Sequence, residues 1–391
     1  MRTTMATENN NKTLNVPNLR FPEFSGEWER KKLGDIGTTL IGLTYSPQDV
    51  VPSDGTIVLR SSNIKGGLLD YTDLVKVNKK IKESIITRTN DILICARNGS
   101  ARLIGKNAIL KDSDCGHTFG AFMMVYRSED NPFVHQLLST KRYYSQVAEN
   151  LGARINQITT SDLNSFEFSF PQSKKEKVKI ASMLSLLDER IATQIKIIED
   201  LKKLKSAISN EIFEQTSNRI CELKEIASVI MGQSPSSHAY NNNAEGLPLI
   251  QGNLDIENGQ LSPRIYTSEI TQTCECGDVI LTVRAPVGEI AIAQQEACIG
   301  RGVCSIRPHV KNDTNLIYQF LQYFKPQWGS LEQGSTFTAV SGTDIRGIAV
   351  SIPSADKIEL LNVYDNKIKV ESRILANLIQ QKQYLLAQMF I

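Results

Sequence analysis

Short apolar runs separated by turn residues occupy the chain up to Pro171, and then the texture changes. The runs Ile57–Leu59, Asp91–Cys95, Ala121–Tyr126 and Phe166–Phe170 are bounded by Gly, Asn, Asp and Pro, the punctuation of short β-strands. A helix is predicted after the third run, over Asn131 to Leu151. Glycine then vanishes between Pro171 and Gly232. In that stretch apolar residues recur at Ile180, Leu184, Leu187, Ile191, Ile195, Ile198, Leu201, Ile208 and Ile212, steps that mark one face of a long helix. The strand-and-turn texture resumes at Leu247–Ile250, Asp278–Val283, Val303–Ile306 and Ile348–Ile352, with a helix predicted over Thr314 to Glu332.

The two halves are one pattern written twice, and a repeat of this kind governs every local reading. Gly152, Asp162, Leu163 and Pro171 fall on Gly334, Asp344, Ile345 and Pro353 at a constant offset of 182. Leu33-Gly-Asp-Ile36 falls on Leu223-Lys-Glu-Ile226, and Asn90-Asp91 falls on Gly277-Asp278. Gly42 and Ser46-Pro47 fall on Gly232 and Ser234-Pro235 with a two-residue slip. Asn63 is laid on Asn253, and Arg97 on Arg284. Insertions between these anchors fall in polar stretches and read as surface loops.

The long striped segment also repeats, at an offset of 177. Ile191, Ile198, Leu201, Ile208, Ile212 and Phe213 fall on Ile368, Leu375, Leu378, Leu385, Met389 and Phe390. A narrow stripe of this length cannot be buried by one helix alone. Two such helices in one chain can bury theirs against each other, and the β-rich module between them returns the chain, so antiparallel packing is expected. The alternative is that each helix covers only its own β-rich module. The expected fold is therefore α+β. It has two β-rich domains, each followed by a long helix, and the helices form an antiparallel coiled coil with pseudo-twofold symmetry. The expected divisions are a flexible tail over 1–16, a domain over 17–171, a helical region over 172–216, a second domain over 217–353 and a second helical region over 354–391.

Composition narrows the function. A chain of 391 residues with 41% hydrophobic content suits two or three ordinary domains, and no stretch resembles a membrane span or a signal peptide. Seven cysteines without a paired pattern read as reduced thiols of a cytoplasmic protein. A formal charge of +2 excludes polyanion binding through global charge, so contacts with nucleic acid need local basic patches. No catalytic constellation is visible. Asn131-Pro132-Phe133 lacks the second proline of an adenine methyltransferase motif, and no phosphate-binding Gly-x-x-x-x-Gly-Lys-Ser/Thr loop occurs. Cys274, Cys276, Cys298 and Cys304 do not have the spacing of structural zinc, and the four histidines do not pair, so no metal site is expected. The runs Lys174–Lys179 and Lys202–Lys205 read as a solvated helix start and the polar side of the coiled coil.

The order of these parts resembles a known family. Leu19-Arg-Phe-Pro-Glu-Phe-Ser-Gly-Glu-Trp28 through Leu33-Gly-Asp-Ile36 is similar to the opening of type I restriction–modification specificity subunits, as is Gly232-Gln-Ser-Pro through Tyr240 in the second half. Phe170-Pro171, Glu176, Ile180-Ala181 and Asp188-Glu-Arg-Ile191 resemble the entry to that family's helical region. The chain departs from the family where Pro171 stands alone and Lys177 follows Glu176. The resemblance implies a non-catalytic subunit in which each domain reads one half of a split, asymmetric site on double-stranded DNA. It also implies that the helices set the gap and dock two modification (methyltransferase) subunits, and that restriction subunits supply translocation and cleavage. S-adenosylmethionine, ATP and Mg would sit on those partners and none in this chain. The competing function is a coiled-coil adaptor that assembles proteins without reading DNA.

On that reading, base readers are sought among Arg, Lys, Asn and Gln near strand ends. The candidates are Arg60, Asn63, Arg97, Asn98, Arg102 and Lys106 in the first half, and Gln251, Asn253, Arg284 and Arg301 in the second. Residues shared by both halves suit a turn or a phosphate grip better than sequence readout. Asp188 to Phe213 spans 26 residues, about 39 Å of helix at the ordinary rise, close to one turn of B-DNA at roughly 34–36 Å. A bipartite target with a nonspecific gap is expected.

Overall fold

A computed structural model describes residues 15–151, 156–331 and 339–391. The expected tail lies outside the described residues except for its last two positions, and so do Gly152, Gly334 and Glu332. The described residues divide into two compact units. One holds the chain up to Thr193 together with Ala376–Ile391, and the other holds Gln194–Leu375. The division runs through both long helices, Lys174–Phe213 and Ala355–Met389. Each unit is thus one β-rich domain with a part of each helix.

Both units build the same four-strand cores, which the second unit extends by further edge strands. In the first, Thr38–Ile41, Met123–Arg127, Ile92–Cys95 and Asn107–Ile109 form an antiparallel sheet in that order. In the second, Ala227–Met231, Val303–Pro308, Val279–Thr282 and Ile290–Ile292 repeat that order. A further sheet in the first unit runs Thr118–Phe119, Thr56–Leu59, Val75–Val77, Val50–Val51. Its counterpart runs Ala297–Ile299, Leu247–Ile250, Ile265–Thr267, Tyr240–Asn241. A two-stranded pair closes each domain before its long helix: Glu29–Lys32 with Glu167–Phe170, and Arg219–Glu222 with Ala349–Ile352.

The shared residues hold this frame. At Gly42 a Cβ would lie 2.2 Å from the Gly120 carbonyl oxygen, and at Gly232 it would lie 2.1 Å from that of Gly300, so only glycine lets these strands approach. Asn90 and Gly277 both take positive φ, at 65° and 95°. The aspartate after each is buried and paired with an arginine of the neighbouring strand in its sheet: Asp91 with Arg127 at 2.6 Å, Asp278 with Arg307 at 3.0 Å. Asp162 and Asp344 sit in capping boxes with Thr159 and Ser341 at the starts of the short helices Thr160–Ser165 and Gly342–Arg346.

Where one helix is expected over Asn131 to Leu151, two form, Asn131–Leu137 and Lys141–Asn150. Thr140 stops the first and caps the second, its side chain accepting from the Tyr143 amide. In the second unit Thr314–Phe324 is likewise followed by a separate short helix, Trp328–Leu331.

The long helices pack antiparallel. In the first unit Asp188, early in the first helix, meets Lys382, late in the second, at 2.5 Å. In the second unit Lys205, late in the first helix, meets Asp365, early in the second, at 2.6 Å. Each carboxylate also accepts from a buried glutamine of its own domain's helix. Gln136 Nε2 donates to Asp188 at 3.1 Å, and Gln319 Nε2 donates to Asp365 at 2.7 Å. One carboxylate therefore ties a domain to both helices, and the arrangement occurs twice. Helices covering only their own modules would lack these contacts.

The seam of the first helix runs through Ile180, Leu184, Leu187, Ile191, Gln194, Ile198, Leu201, Lys205, Ile208 and Ile212, all buried or half-buried, in alternating steps of four and three. Ile368, Leu375 and Leu385 are half-buried and Leu378 and Met389 buried on the second. Lys205 corrects the sequence reading. It is not on the polar side but 7% exposed, while Lys202 and Lys203 face solvent. Desolvation lowers its pKa, which the Asp365 carboxylate opposes. Gln194 is also buried and donates to Glu371 at 2.6 Å. The expected solvated start at Lys174–Lys179 is likewise partly inward. Glu176 is buried and binds Arg20 at 2.7 Å, and Lys177 binds Asp130 at 2.5 Å. The helix ends are anchored alike. Phe390 packs on Trp28 and Phe133 in the first unit, and Phe213 on Phe320 and Tyr323 in the second.

Two outcomes follow from these pairs. Lys205→Met leaves a carboxylate without its cation and is expected to lower stability by about 2 kcal/mol in urea unfolding. Lys205→Met with Asp365→Leu should lose less, because an apolar pair replaces the ion pair; an equal or larger loss would show that the two side chains are not coupled. The second outcome concerns His135, which burial pushes down to about 4, with Lys382 adding to the effect and Asp188 opposing it. The fold holds the imidazole neutral, whereas the unfolded chain protonates it near pH ~6.5. Its contribution is complete above that pH and is lost as pH falls toward 4. The urea midpoint should fall across that window, and His135→Gln should flatten the fall; identical slopes in both proteins would contradict this assignment.

Candidate nucleic-acid interface

The polar candidates separate into residues held inward and residues left outward. Asn63 is fully buried. Its Oδ1 accepts from the Arg60 amide at 2.9 Å, and its Nδ2 donates to the carbonyls of Asp70 at 3.0 Å and Asp73 at 2.8 Å. It holds a turn. Arg60 is paired with Asp73 at 2.8 Å. Asn98 Nδ2 donates to Ser61 Oγ at 3.0 Å, and Lys106 Nζ to the Ser61 carbonyl at 3.2 Å. Arg60, Asn63, Asn98 and Lys106 therefore converge on the turn around Ser61, while Arg97 and Arg102 remain exposed.

The second unit uses other residues for the same turn. Asn253 is exposed, and Asp255 is buried in the place of Asn63. Its carboxylate accepts from the amides of Gln251 at 2.8 Å and Gly252 at 3.3 Å, and pairs with Arg264 at 3.0 Å. The register laying Asn63 on Asn253 is thus two residues off, because it follows residue identity and not the bond made. Parallel pairing of Leu59 with Phe119 and of Ile250 with Ile299 places Arg60 opposite Gln251. Gln251 donates to the Tyr240 hydroxyl at 3.1 Å.

Arg97 and Arg284 do occupy equivalent places. Each is exposed, follows the second strand of its antiparallel sheet, and makes an isolated bridge, to Gln157 and Ala339 respectively. Beside each is the turn into Met123–Arg127 or Val303–Pro308. In the first unit that turn carries exposed Phe122, with the Arg97 guanidinium 5.1 Å from its ring. In the second it carries exposed Arg301, whose amide donates to Ser234 Oγ at 3.1 Å. Phe122 and Asp255 were not singled out from sequence. The signal for Asp255 is an Asn/Asp-type side chain at the third position of its turn, where Asn63 stands in the first unit, with one more residue between strand and turn.

Among the described residues no group of three or more His, Cys, Asp or Glu side chains could hold a metal ion. Burial pushes the Cys304 thiol up to about 12 and Cys274 to about 11, so both are protonated packing residues at neutral pH. No helix among the described residues is long and apolar enough to cross a membrane.

The model of the type I restriction modification DNA specificity domain matches residues 25–203 and again 218–380. The chain belongs to that family, and the two matches are the two halves of the repeat. The type I restriction enzyme MjaX specificity subunit of Methanocaldococcus jannaschii is 28% identical over 93% of this chain and 92% of its own. The EcoKI specificity subunit of Escherichia coli is 28% identical over 46% of this chain and 41% of its own. The fold is that of the type I restriction–modification S subunit from M. genitalium, with a TM-score of 0.64 at 17% identity over 96% of this chain and 99% of that one.

The contrast between Asn63 and Asn253 is measurable. Asn63→Ala removes three hydrogen bonds from a buried turn and is expected to cost about 2 kcal/mol. Asn253→Ala, on an exposed side chain, should stay within about 0.5 kcal/mol of the parent. Equal losses in thermal unfolding would contradict the exchange of roles with Asp255.

Proposed function

We propose that this chain is the specificity subunit of a type I restriction–modification complex, reading a bipartite asymmetric DNA site with one half per domain. The observation that carries this is the exposed arginine that each domain presents at the same point of one frame, Arg97 and Arg284, next to turns of different chemistry. A shared cation suits a phosphate grip, which positions without reading sequence. The differing neighbours suit discrimination. The adaptor alternative gives these exposed arginines no role, and no observation favours it.

The partners follow the same repeat. Leu186 and Ile197 on the first helix are 67% and 40% exposed. At the same offset of 177, Val363 and Ile374 on the second are 53% and 37% exposed. An outward apolar pair presented twice suits two copies of one partner, here two modification subunits. Restriction subunits would join that assembly in the cytoplasm. S-adenosylmethionine, ATP and Mg would be held by the partners, and this chain by itself would catalyse nothing.

Mapping modified adenines across the source genome, with and without this gene, tests the reading. One split motif should disappear with the gene; an unchanged map would contradict it. Extending both long helices by one heptad at matched positions adds about 10 Å, which should widen the gap by about three base pairs. The half-sites should stay fixed, and altered half-sites with an unchanged gap would remove the helices as the spacing element.

A further inference from the structure

The turns into Met123–Arg127 and Val303–Pro308 are equivalent in backbone and different in side chain. Met123 N donates to the Gly120 carbonyl at 2.8 Å, and Val303 N to that of Gly300 at 3.1 Å. Leu43 N donates to the Phe119 carbonyl at 2.7 Å, and Gln233 N to that of Ile299 at 2.9 Å. The position of Phe122 is therefore that of Gly302. The Phe122 backbone is held firmly, its carbonyl accepting from the amides of Ala96 and Arg97, both at 3.0 Å. Its ring nevertheless stays 58% exposed and joins none of the apolar cores of its unit. The ring's partner is the exposed Arg97 guanidinium, 5.1 Å from its centroid.

A phenylalanine ring offers no hydrogen bond to a base edge. What it can match in the major groove is the C5-methyl group of thymine. A fixed backbone keeps the ring's position well defined, and the stacked guanidinium puts a cation beside it for phosphate or a neighbouring base. We propose that Phe122 is a specificity residue of the first domain that recognises a thymine by its C5-methyl group. The second unit has no such reader at this position, since glycine stands there. The inference rests on the DNA-reading function proposed above and adds a base and a contact to it.

The test uses the full chain assembled with its modification subunits, on duplexes carrying the mapped target. Each thymine of the first half-site is replaced in turn by uracil, which removes only the methyl group. Wild-type complex should bind one uracil duplex about tenfold more weakly than the thymine duplex, in the range of a single base contact. Phe122→Ala should bind the thymine duplex as weakly as wild type binds that uracil duplex, with no further loss on substitution. Phe122→Leu should keep part of the methyl preference. Thermal unfolding, and the relative penalty for each change in the second half-site, should be unchanged in both. A uracil penalty that persists in Phe122→Ala overturns the assignment, as does the absence of a penalty at every position or a first half-site without thymine. If wild-type complex does not prefer the mapped duplex to random DNA, the underlying DNA-reading function fails, whatever the variants do.

Discussion

Two carboxylates, Asp188 and Asp365, are the points at which the structure is tied together. Each lies on a long helix, takes a lysine from the opposite helix and takes a glutamine from the domain packed beside it. A carboxylate in this setting is costly unless its partners are in register. Apolar side chains alone would tolerate a slide of one helix along the other by a heptad. The buried Lys205 would not, because it would lose its carboxylate partner. The apolar seam supplies the attraction, and the two ion pairs select the alignment.

That alignment explains why the compact units cut through both helices instead of falling at their starts. A helix half is buried with whichever domain supplies its glutamine, its aromatic neighbours and the end of the other helix. Phe213 and Phe390, at the two helix ends, serve their respective units in the same way. Each domain sits on an equivalent mount, and the domains differ in turns, outward side chains and the strands added at the sheet edges of the second.

Much of this was legible in the sequence, and the failures share a cause. Strand cores, the glycine anchors and the Asn90/Gly277 turns repeat because backbone geometry demands them, and repetition made them visible. The seam is visible as an apolar stripe, but the run Lys202–Lys205 reads as its polar side, and a polar residue inside the seam such as Gln194 gives no apolar signal. Their roles were nonetheless encoded: Asp188, Lys205, Asp365 and Lys382 keep the same offset of 177 as the stripe. The candidate interface was less legible. Arg60, Asn63, Asn98 and Lys106 are the right residue types for base readout; Asn63 is buried in a turn, and the other three are half-buried and hydrogen-bonded beside it. Residue type does not state which groups the fold will consume. Phe122 was overlooked for the converse reason, because an apolar residue among strands is taken for core.

One mount is used twice, and the mounted domain alone decides what is read. A chain carrying the first domain in both positions, with both long helices retained, puts this to the test when its modified adenines are mapped. Two copies of the first half-site are expected in opposite orientation, separated by the original gap. Persistence of the second half-site in that map, or an assembled complex with no sequence preference, would contradict it.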